Sequence, residues 1–245
     1  MKALALIPAR SGSQRVRNKN ILPLAGHPLI AYSICSALES GVFSRVVVTT
    51  DSEEIGEVAR HYGADVPFIR PKRIAGSKST NIEFIKHALN NLDEEFDAVA
   101  TVFVTSPFRQ ASTLKRAMRQ FKANKEADSL RAVALCREHP GKMWIVEGKN
   151  MTPLLDQSHL DVAWHARQYK DLPKIYVQTS MLEIAWTRAI AETNTREGNN
   201  LAPFIAEGFE GLAIDYEDDW TLVEKLAKSG DASLPNIPVK PYKKK

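Results

Sequence analysis

The segment 2–20 reads KALALIPARSGSQRVRNKN, and the fold prediction starts from it. Residues 3–7 are a short, continuous apolar run, which is typical of a strand buried on both faces of a parallel sheet. The loop that follows contains Gly12, two serines and four cationic side chains. In doubly wound α/β sheets, ligands bind beyond the carboxyl ends of the strands. The segment therefore predicts a buried strand that leads into a binding loop.

Strand-like and helix-like segments alternate over the first 136 residues. The alternation predicts an α/β fold with a mainly parallel sheet and helices on both faces. Capping and start signals at Pro28, Asp51, Thr80 and Ser112 predict the beginnings of four helices. A fifth helix is expected at 220–227. Strands are expected at 3–7, 45–50, 98–104, 130–136, 181–186 and 212–214, with a short extended piece at 66–69.

Residues 138–178 differ from the rest because they have little periodicity, several prolines and large apolar side chains such as Trp144 and Trp164. A long irregular stretch in a compact domain is usually functional or packs on a partner. We interpret it as an arm on one main domain formed by 1–137 and 179–235. The lysine-rich tail 236–245 is expected to be solvated chain.

The composition limits the classes of protein to which the chain can belong. The chain has 245 residues, 44% of them hydrophobic, with a net charge of +4 and a pI of about 9.0. The positive charge suits an anionic substrate. The basic stretch 115–119 alternates with apolar residues at helix spacing, so a solvated helix face is simpler than an RNA-binding face. Cys35 and Cys136 are interpreted as small core residues. Neither a nucleic-acid nor a membrane partner is expected, and the expected compartment is the cytoplasm.

The loop after the first strand has the composition of a triphosphate site. Backbone N–H groups around Ser11, Gly12 and Ser13 can form a concave nest for an anion. Cationic side chains at Arg10 and Lys19 can add charge-assisted hydrogen bonds to phosphate oxygens, and Arg15 is a third candidate. The loop is neither a P-loop nor a dinucleotide fingerprint. From composition alone, a solvated basic loop stays an alternative.

This loop resembles the phosphate-binding signature of acylneuraminate cytidylyltransferases, the CMP-sialic acid synthetase family. Five further segments resemble that family in the same order, and the resemblance spans 2–230. They are 46–55 (VVVTTDSEEI), 68–71 (FIRP), 105–109 (TSPFR), 167–173 (RQYKDLP) and 214–220 (IDYEDDW). The resemblance implies a Rossmann-like nucleotidyltransferase fold of three layers and a homodimer formed through the arm 138–178.

The family's reaction, as the resemblance implies it, transfers CMP from CTP to the anomeric hydroxyl of a nonulosonic acid and releases pyrophosphate. Arg10, Lys19 and Asp215 are the expected catalytic residues. Mg²⁺ is the expected cofactor, with Asp215 as its ligand. The expected nucleotide contacts are Ala9, Arg10, Ser11, Gly12, Ser13, Gln14, Arg15, Asn20, Arg70 and Thr80. The expected sugar contacts are Thr105, Ser106, Arg109, Arg167, Gln168, Gln178 and Thr179.

The metal assignment to Asp215 also has an argument from the residues themselves. Asp215 follows the expected strand 212–214, so it would lie at the edge of the sheet near the site. Mg²⁺ accepts one or two carboxylates together with substrate phosphates. The alternative is that Asp215 caps the following helix, but Asp218 and Asp219 are better placed to do so.

The chain departs from the family pattern at four places. Gln14 stands where the family usually has Lys, and Ala213 where it often has a second acid. Phe103-Val104 replaces a Gln-Pro, and 177–180 (VQTS) replaces an Arg-Pro-Asn-Gly element. The last two elements contact the sugar in relatives that use N-acetylneuraminate, and a hydrogen-bonding site rejects analogues that leave its groups unpaired.

These departures predict a modified nonulosonate of the legionaminic or pseudaminic type. Two alternatives stay open. One is a nucleotidyltransferase for another sugar or nucleotide, and the other is a catalytically impaired nucleotide-binding homologue.

Overall fold

A computed structural model of the chain describes residues 1–13 and 15–244, so Gln14 and Lys245 lie outside the described residues. The described strands are β1 (Ala3–Pro8), β2 (Pro23–Leu24), β3 (His27–Pro28), β4 (Arg45–Thr49), β5 (Ala98–Val102), β6 (Ser129–Leu135), β7 (Trp144–Glu147), β8 (Asn150–Pro153), β9 (Tyr176–Trp186) and β10 (Leu201–Ile205). The described α-helices are α1 (Leu29–Ser40), α2 (Glu53–His61), α3 (Asn81–Asn91), α4 (Ala111–Ala123), α5 (Thr187–Thr193) and α6 (Glu217–Ser229).

Six strands form the central sheet in the order β10-β6-β9-β5-β1-β4. β1 pairs in parallel with both β4 and β5, and β10 pairs in parallel with β6. β9 runs antiparallel to both of its neighbours. The prediction of a mainly parallel sheet is therefore confirmed, with one antiparallel strand inserted between β5 and β6.

Side chains of β1 alternate between two hydrophobic cores, one on each face of the sheet. Leu4 and Leu6 pack with Phe84 and Ile85 of α3. Ala5 and its neighbours on the other face pack with apolar residues of α1, α2, α4 and α6. A strand with both faces buried needs apolar residues throughout, which explains the continuous run at 3–7. The three-layer α/β architecture is confirmed.

Several predicted element boundaries are wrong. Ser112 lies inside α4, whose N-cap residue is Gln110. The N-cap of α2 is Ser52, whose hydroxyl accepts a hydrogen bond from the Ile55 N–H group. Asp51 does not cap the helix but accepts hydrogen bonds from Ser11. Residues 212–214 are not a strand, although the Ile214 N–H group donates to the Thr105 carbonyl at 2.8 Å.

Two elements had no clear signal in the sequence. β10 (LAPFI) contains Pro203, which normally argues against a strand. It is tolerated because β10 lies at the edge of the sheet, where one side of the strand needs no ladder hydrogen bonds. α5 has seven residues, too few for a readable helical period. None of the described helices has both the length and the apolar character that crossing a membrane requires.

The arm is built from an exposed β7–β8 hairpin and short 3₁₀ turns, and β9 begins at Tyr176, inside its predicted range. His139 organises its base. The Nδ1 atom of His139 accepts from the Gly141 N–H group at 3.0 Å, so its Nε2 atom donates to the Pro173 carbonyl at 3.1 Å. Both ring nitrogens are therefore used structurally in this part of the arm.

The prediction of a solvated tail holds for most of the described residues 236–244, which are exposed, but not for Ile237 and Tyr242. Ile237 and Tyr242 pack against the core on the α1/α2 side of the sheet. The Tyr242 N–H group donates to the Tyr62 hydroxyl at 3.1 Å, and the Tyr242 hydroxyl donates to Glu57 at 3.2 Å. Lys244 pairs with Glu54 at 2.7 Å. Tyr242 and Lys244 thus attach the end of the tail to two glutamates of α2, Glu57 and Glu54.

The packing of the tail gives a direct test. We expect Tyr242→Ala to lower the urea midpoint of unfolding, because the substitution removes ring packing and a hydroxyl contact with α2. Lys243→Ala is the matched control, since Lys243 is exposed beside it. Equal midpoints for Tyr242→Ala and the unchanged chain would show that the tail is solvated after all.

Candidate functional site

A cleft of about 510 Å³ opens at the carboxyl ends of β1 and β5. Its walls come from the loop after β1, the segment before α3 with the first turn of that helix, the residues just after β5, and Asp215, two residues before α6. The lining residues are Pro8, Arg10, Ser13, Arg15, Val16, Lys19, Asn20, Arg70, Ile74, Ala75, Gly76, Ser77, Ser79, Asn81, Phe84, Phe103, Thr105 and Asp215. The site therefore lies where parallel strands end, as expected for this class of sheet.

Asp51 anchors the loop after β1. Its carboxylate accepts from the Ser11 N–H group and from the Ser11 hydroxyl, both at 2.8 Å. The Ser13 N–H group donates to the Ser11 carbonyl at 3.0 Å. Two of the three N–H groups expected to form an anion nest are thus already used, so the nest is not preformed. Phosphate recognition in this conformation falls to side chains.

Ala9, Ser11 and Gly12 support the loop from outside the cleft. Ala9 is fully buried, and its N–H group donates to the Thr49 carbonyl at 3.0 Å. Ser11 and Gly12 are exposed and do not line the cleft wall, whereas Ser13 does. The expected contact at Gln14 lies outside the described residues.

Lys19 projects into the cleft from a single 3₁₀ turn, Lys19–Ile21. Asn18 precedes it with a φ of 54°, a left-handed conformation that Asn tolerates well. The Lys19 ammonium donates to the Ile214 carbonyl and lies 3.9 Å from the Asp215 carboxylate. Burial lowers the pKa of Lys19, while Asp215 partly opposes that shift. Asn20 is also buried, and its amide donates to the Arg10 carbonyl at 2.9 Å, which stiffens the loop.

Asp215 is available to a ligand because another residue caps α6. The Asp219 carboxylate accepts from the N–H groups of Asp215 and Tyr216, each at 2.8 Å. The Asp215 carboxylate is half-exposed and lies 3.7 Å from the guanidinium of Arg15. The expectation that a later aspartate serves as the cap is confirmed for Asp219.

Among the residues that line the cleft, the carboxylate available to a metal ion is that of Asp215. No group of three or more His, Cys, Asp or Glu residues that could hold a metal occurs within residues 1–13 and 15–244. A single carboxylate combined with phosphate oxygens and water fits the preference of Mg²⁺. The residues present are compatible with the expected ion, and Asp215 is the one that would hold it.

Arg70 is the most unusual cation of the cleft. Only 4% of it is exposed, and its Nε and Nη2 atoms have no hydrogen-bond partner among the described residues. It lies over the Phe84 ring, 5.5 Å from the centroid. Burial lowers the pKa of Arg70; the carboxylate of Asp51 partly opposes that shift, and the positive charge of Arg10 adds to it. A buried cation with free donors is costly unless a ligand pairs with it.

Arg10 reaches across the cleft to the segment before α3, where its Nη1 atom donates to the Gly76 carbonyl at 2.9 Å. Thr80 lies just beyond, at the start of α3. Its N–H group and hydroxyl donate to the Glu83 carboxylate at 2.6 and 3.0 Å. Thr80 does not line this cleft, whereas its neighbours Ser79 and Asn81 do. The structure places Thr80 in the capping role.

Residues of the turn 105–109 lie partly at the cleft and partly in the core. Thr105 lines the cleft, and its hydroxyl donates to the Ser180 carbonyl at 3.2 Å. Ser106 is buried and donates to the same carbonyl at 3.1 Å.

Arg109, an expected sugar contact, does not line the cleft in this conformation. Its side chain is 0% exposed. Its guanidinium donates to the carbonyls of Phe103 and Met181, each at 2.9 Å. Arg109 holds the end of β5 against β9 instead.

The four remaining sugar-site candidates do not line the cleft in a single chain. Arg167 and Gln168 lie in the arm, where the Arg167 Nε atom donates to the Val162 carbonyl at 2.9 Å. Thr179 is buried and donates to the Ala132 carbonyl at 3.2 Å. Gln178 is exposed on β9 and accepts from Arg131 at 2.9 Å.

Sequence reasoning missed several lining residues. Ser77, Ser79 and Asn81 form the wall opposite Arg10. The sequence does carry an indication of them, since a polar, serine-rich stretch precedes the capping box of α3. Phe84 and Phe103 supply an apolar part of the wall that no local pattern separates from ordinary core residues.

Comparison with known proteins places these features in a family. The family model described as cytidylyltransferase matches residues 4–184. The chain is 33% identical to the CMP-N,N'-diacetyllegionaminic acid synthase of Legionella pneumophila, over 96% of this chain and 100% of that protein. It is 34% identical to a pseudaminic acid cytidylyltransferase of Campylobacter jejuni, over 72% of this chain and 75% of that protein.

Two further similarities are more limited, the first in the length that it covers and the second in sequence identity. An N-acylneuraminate cytidylyltransferase of Escherichia coli is 46% identical over 49% of this chain, a match that spans only 28% of the E. coli protein. A CMP:2-keto-3-deoxy-manno-octonic acid synthetase solved with CTP has a TM-score of 0.70 at 13% identity, covering 94% of this chain and 100% of the other. The second similarity establishes the fold alone. From the family model and the full-length similarity, the chain belongs to the cytidylyltransferase family.

Proposed function

We propose that this protein transfers CMP from CTP to the anomeric hydroxyl of a nonulosonic acid and releases pyrophosphate. The observation that carries the proposal is the buried, unpaired guanidinium of Arg70 in a cleft that also presents Arg10, Arg15 and Lys19. Four cations around one cleft disfavour the empty state and favour a polyanion. A nucleoside triphosphate is the polyanion that members of this family are named for using.

The chain's own residues would act by positioning and by neutralising charge. The sugar hydroxyl oxygen forms a bond to the α-phosphorus of CTP, the bond to the bridging oxygen of the β-phosphate breaks, and the hydroxyl proton leaves to solvent. Arg10 and Lys19 would stabilise the charge that builds up on the phosphate oxygens. Asn20 holds the loop that carries Arg10, through its bond to the Arg10 carbonyl.

Mg²⁺ is proposed as the cofactor, and Asp215 would hold it. When bound, the ion neutralises charge on the phosphates. The position of Asp215 beside Arg15 and Lys19 supports this role, because a phosphate chain that pairs with those cations would pass close to its carboxylate.

The proposed sugar is of the legionaminic or pseudaminic type. Two relatives that cover most of this chain are named for those sugars. Phe103 supports the proposal, because an apolar ring lines the cleft where the family pattern has an amide. A deoxy or acylated sugar face would pack on that ring more favourably than a hydroxylated face. The cytoplasm is the proposed compartment.

The reaction has a direct test in pyrophosphate release with CTP, Mg²⁺ and a panel of nonulosonic acids. We expect release with a legionaminic- or pseudaminic-type acid and a fall of roughly 10²–10³-fold in kcat for Asp215→Asn. Asp218→Asn is the matched control, since it removes an exposed carboxylate three residues away. If no sugar gives pyrophosphate release although CTP binds measurably, the alternative of a catalytically impaired homologue would be favoured. Release with N-acetylneuraminate alone would overturn the sugar assignment.

Arg70 gives a second test that separates binding from stability. We expect Arg70→Met to raise the unfolding free energy of the ligand-free protein by about 1–3 kcal/mol, because an uncompensated buried charge is removed. The same variant should bind CTP at least about tenfold more weakly, by calorimetry, since a charge-assisted contact is lost. Arg73→Met, on the exposed turn nearby, is the control. A less stable Arg70→Met with unchanged CTP affinity would contradict the ligand role.

We also propose that the arm 138–178 joins two copies of the chain. Eleven large hydrophobic side chains of the arm are exposed in the single chain, among them Trp144, Ile145, Val146, Met151, Val162 and Tyr169. An exposed apolar surface rich in aromatic residues and methionine is typical of an interface core. A second copy at this surface would also bring Arg167 and Gln168 near a cleft that they do not reach in their own chain.

The dimer is tested by light scattering at micromolar concentration. We expect Val146→Glu to convert the dimer to monomer, because it introduces a charge at a position that is 69% exposed in the single chain and would be buried in the proposed pair. Lys149→Glu, in the turn of the same hairpin, should leave the dimer intact. A monomeric unsubstituted protein would refute the proposal.

A further inference from the structure

Arg109 is a completely buried cation that lies directly behind the wall of the cleft. Its guanidinium donates to the carbonyls of Phe103 and Met181, each at 2.9 Å, and to the Ser33 hydroxyl at 2.7 Å. These acceptors lie just after β5, in β9 and in α1, so one planar group joins three elements. Because Phe103 itself lines the cleft, the guanidinium fixes part of the cleft wall from inside the protein.

The charge of Arg109 has no counter-ion among residues 1–13 and 15–244. Burial lowers the pKa of Arg109, and no carboxylate opposes that shift. The Nε atom also has no hydrogen-bond partner in this part of the chain. A charge buried in this way lowers stability, and an apolar side chain of similar length would avoid the cost. Proteins keep such costly features mainly at functional sites, so Arg109 is expected to have a role in function.

The acceptors of Arg109 do not depend on it for their hydrogen bonds. The Phe103 carbonyl also accepts from the Ser33 hydroxyl at 3.3 Å, and the Met181 carbonyl accepts from the Phe103 N–H group at 3.3 Å. Both carbonyls would therefore keep a donor without the guanidinium. Arg109 adds a further bond to each carbonyl, which fixes how the end of β5 is placed relative to α1 and β9.

Two other side chains of the same turn strengthen the junction between β5 and β9. The hydroxyls of Thr105 and Ser106 donate to the Ser180 carbonyl at 3.2 and 3.1 Å. Ser180 directly precedes Met181, so three side chains of one turn hold two consecutive carbonyls of β9. Arg109 differs from the other two because it also reaches α1, and it thereby joins the junction to the helix layer.

A short path of backbone contacts leads from the end of β5 to the proposed catalytic groups. Thr105, two residues after Phe103, accepts at its carbonyl from the Ile214 N–H group at 2.8 Å. The Ile214 carbonyl accepts from the Lys19 ammonium, and Asp215 is the next residue in the chain. The position of the end of β5 therefore determines where the Lys19 ammonium and the Asp215 carboxylate lie in the cleft.

We propose that Arg109 is a positioning residue for Lys19 and Asp215. The inference rests on the proposed function and adds to it a residue that touches no substrate. Arg109 holds the end of β5 in place, and this strand end sets the position of the Ile214 backbone. A displacement of about 1 Å at reacting groups lowers a rate roughly 10²-fold. A planar fork of donors suits this role, whereas a lysine ammonium is a point charge on a flexible stem.

The test compares Arg109→Met with Arg109→Lys by pyrophosphate release, with CTP, Mg²⁺ and a sugar acid that the unsubstituted protein turns over. We expect kcat to fall roughly 10–10²-fold in both variants, because neither keeps the planar fork. KM for CTP should stay within about threefold, since Arg10, Arg15 and Arg70 still line the cleft. The urea midpoint of Arg109→Met should equal or exceed that of the unsubstituted protein, because a buried charge is removed.

Arg119→Met is the matched control, because it removes the same charge from an exposed position on α4. We expect its kcat and its urea midpoint to be unchanged. A further measurement tests the route through Lys19 by combining Arg109→Met with Lys19→Met. The fall in kcat caused by Arg109→Met should be smaller in the Lys19→Met background, because part of what it disturbs is already absent.

The outcomes separate this inference from the proposed function. If the unsubstituted protein releases pyrophosphate with no sugar acid, the proposed function fails and this inference with it. If that protein is active and Arg109→Met keeps its kcat, this inference alone is overturned. A fully active Arg109→Lys beside an impaired Arg109→Met would also overturn it, because charge and not position would then be what matters. A fall in kcat that accompanies a lower urea midpoint in Arg109→Met would identify a purely structural role and overturn it as well.

Discussion

The burial of β1 on both faces is the constraint on which the rest of the structure depends. Its leucines contact one core and its alanines and Ile7 the other, while β4 and β5 satisfy its backbone on both edges. A strand held on all sides delivers its carboxyl end to a fixed position. The loop that begins at Pro8 therefore starts from a rigid point, and Asp51 at the end of the neighbouring β4 fixes it again through Ser11.

The cleft places like charges close together, and that arrangement opposes folding. Arg10 and Arg15 both lower the pKa of Lys19, in addition to the effect of burial, and Arg10 does the same to Arg70. Asp51 and Asp215 offset part of this repulsion. The remaining imbalance is concentrated on the buried, unpaired guanidinium of Arg70. Preorganised cations of this kind cost stability in the empty protein and act on a polyanion without further rearrangement.

The other half of the sheet is organised differently. β9 runs antiparallel between β5 and β6, and a register shift between Arg131 and Val133 disturbs its pairing with β6. Opposite charges are paired there, since Arg131 of β6 and Arg196 both contact Glu183 of β9 and Glu197, whereas like charges face each other across the cleft.

The sequence by itself determined the layered α/β fold, the loop after β1 and the positions of Lys19 and Asp215 near one site, because each depends on a local pattern at the end of a strand. The place of Arg70 at that site was implied by the family resemblance of 68–71. Only the tertiary structure decided that Arg109 is buried, that Asp51 anchors Ser11 and not a helix, and that the tail packs on α2. It also decided that Arg131 and Arg196, 65 residues apart in the chain, share two carboxylates. Long side chains find partners wherever the folded backbone brings them, and sequence spacing carries no record of those distances.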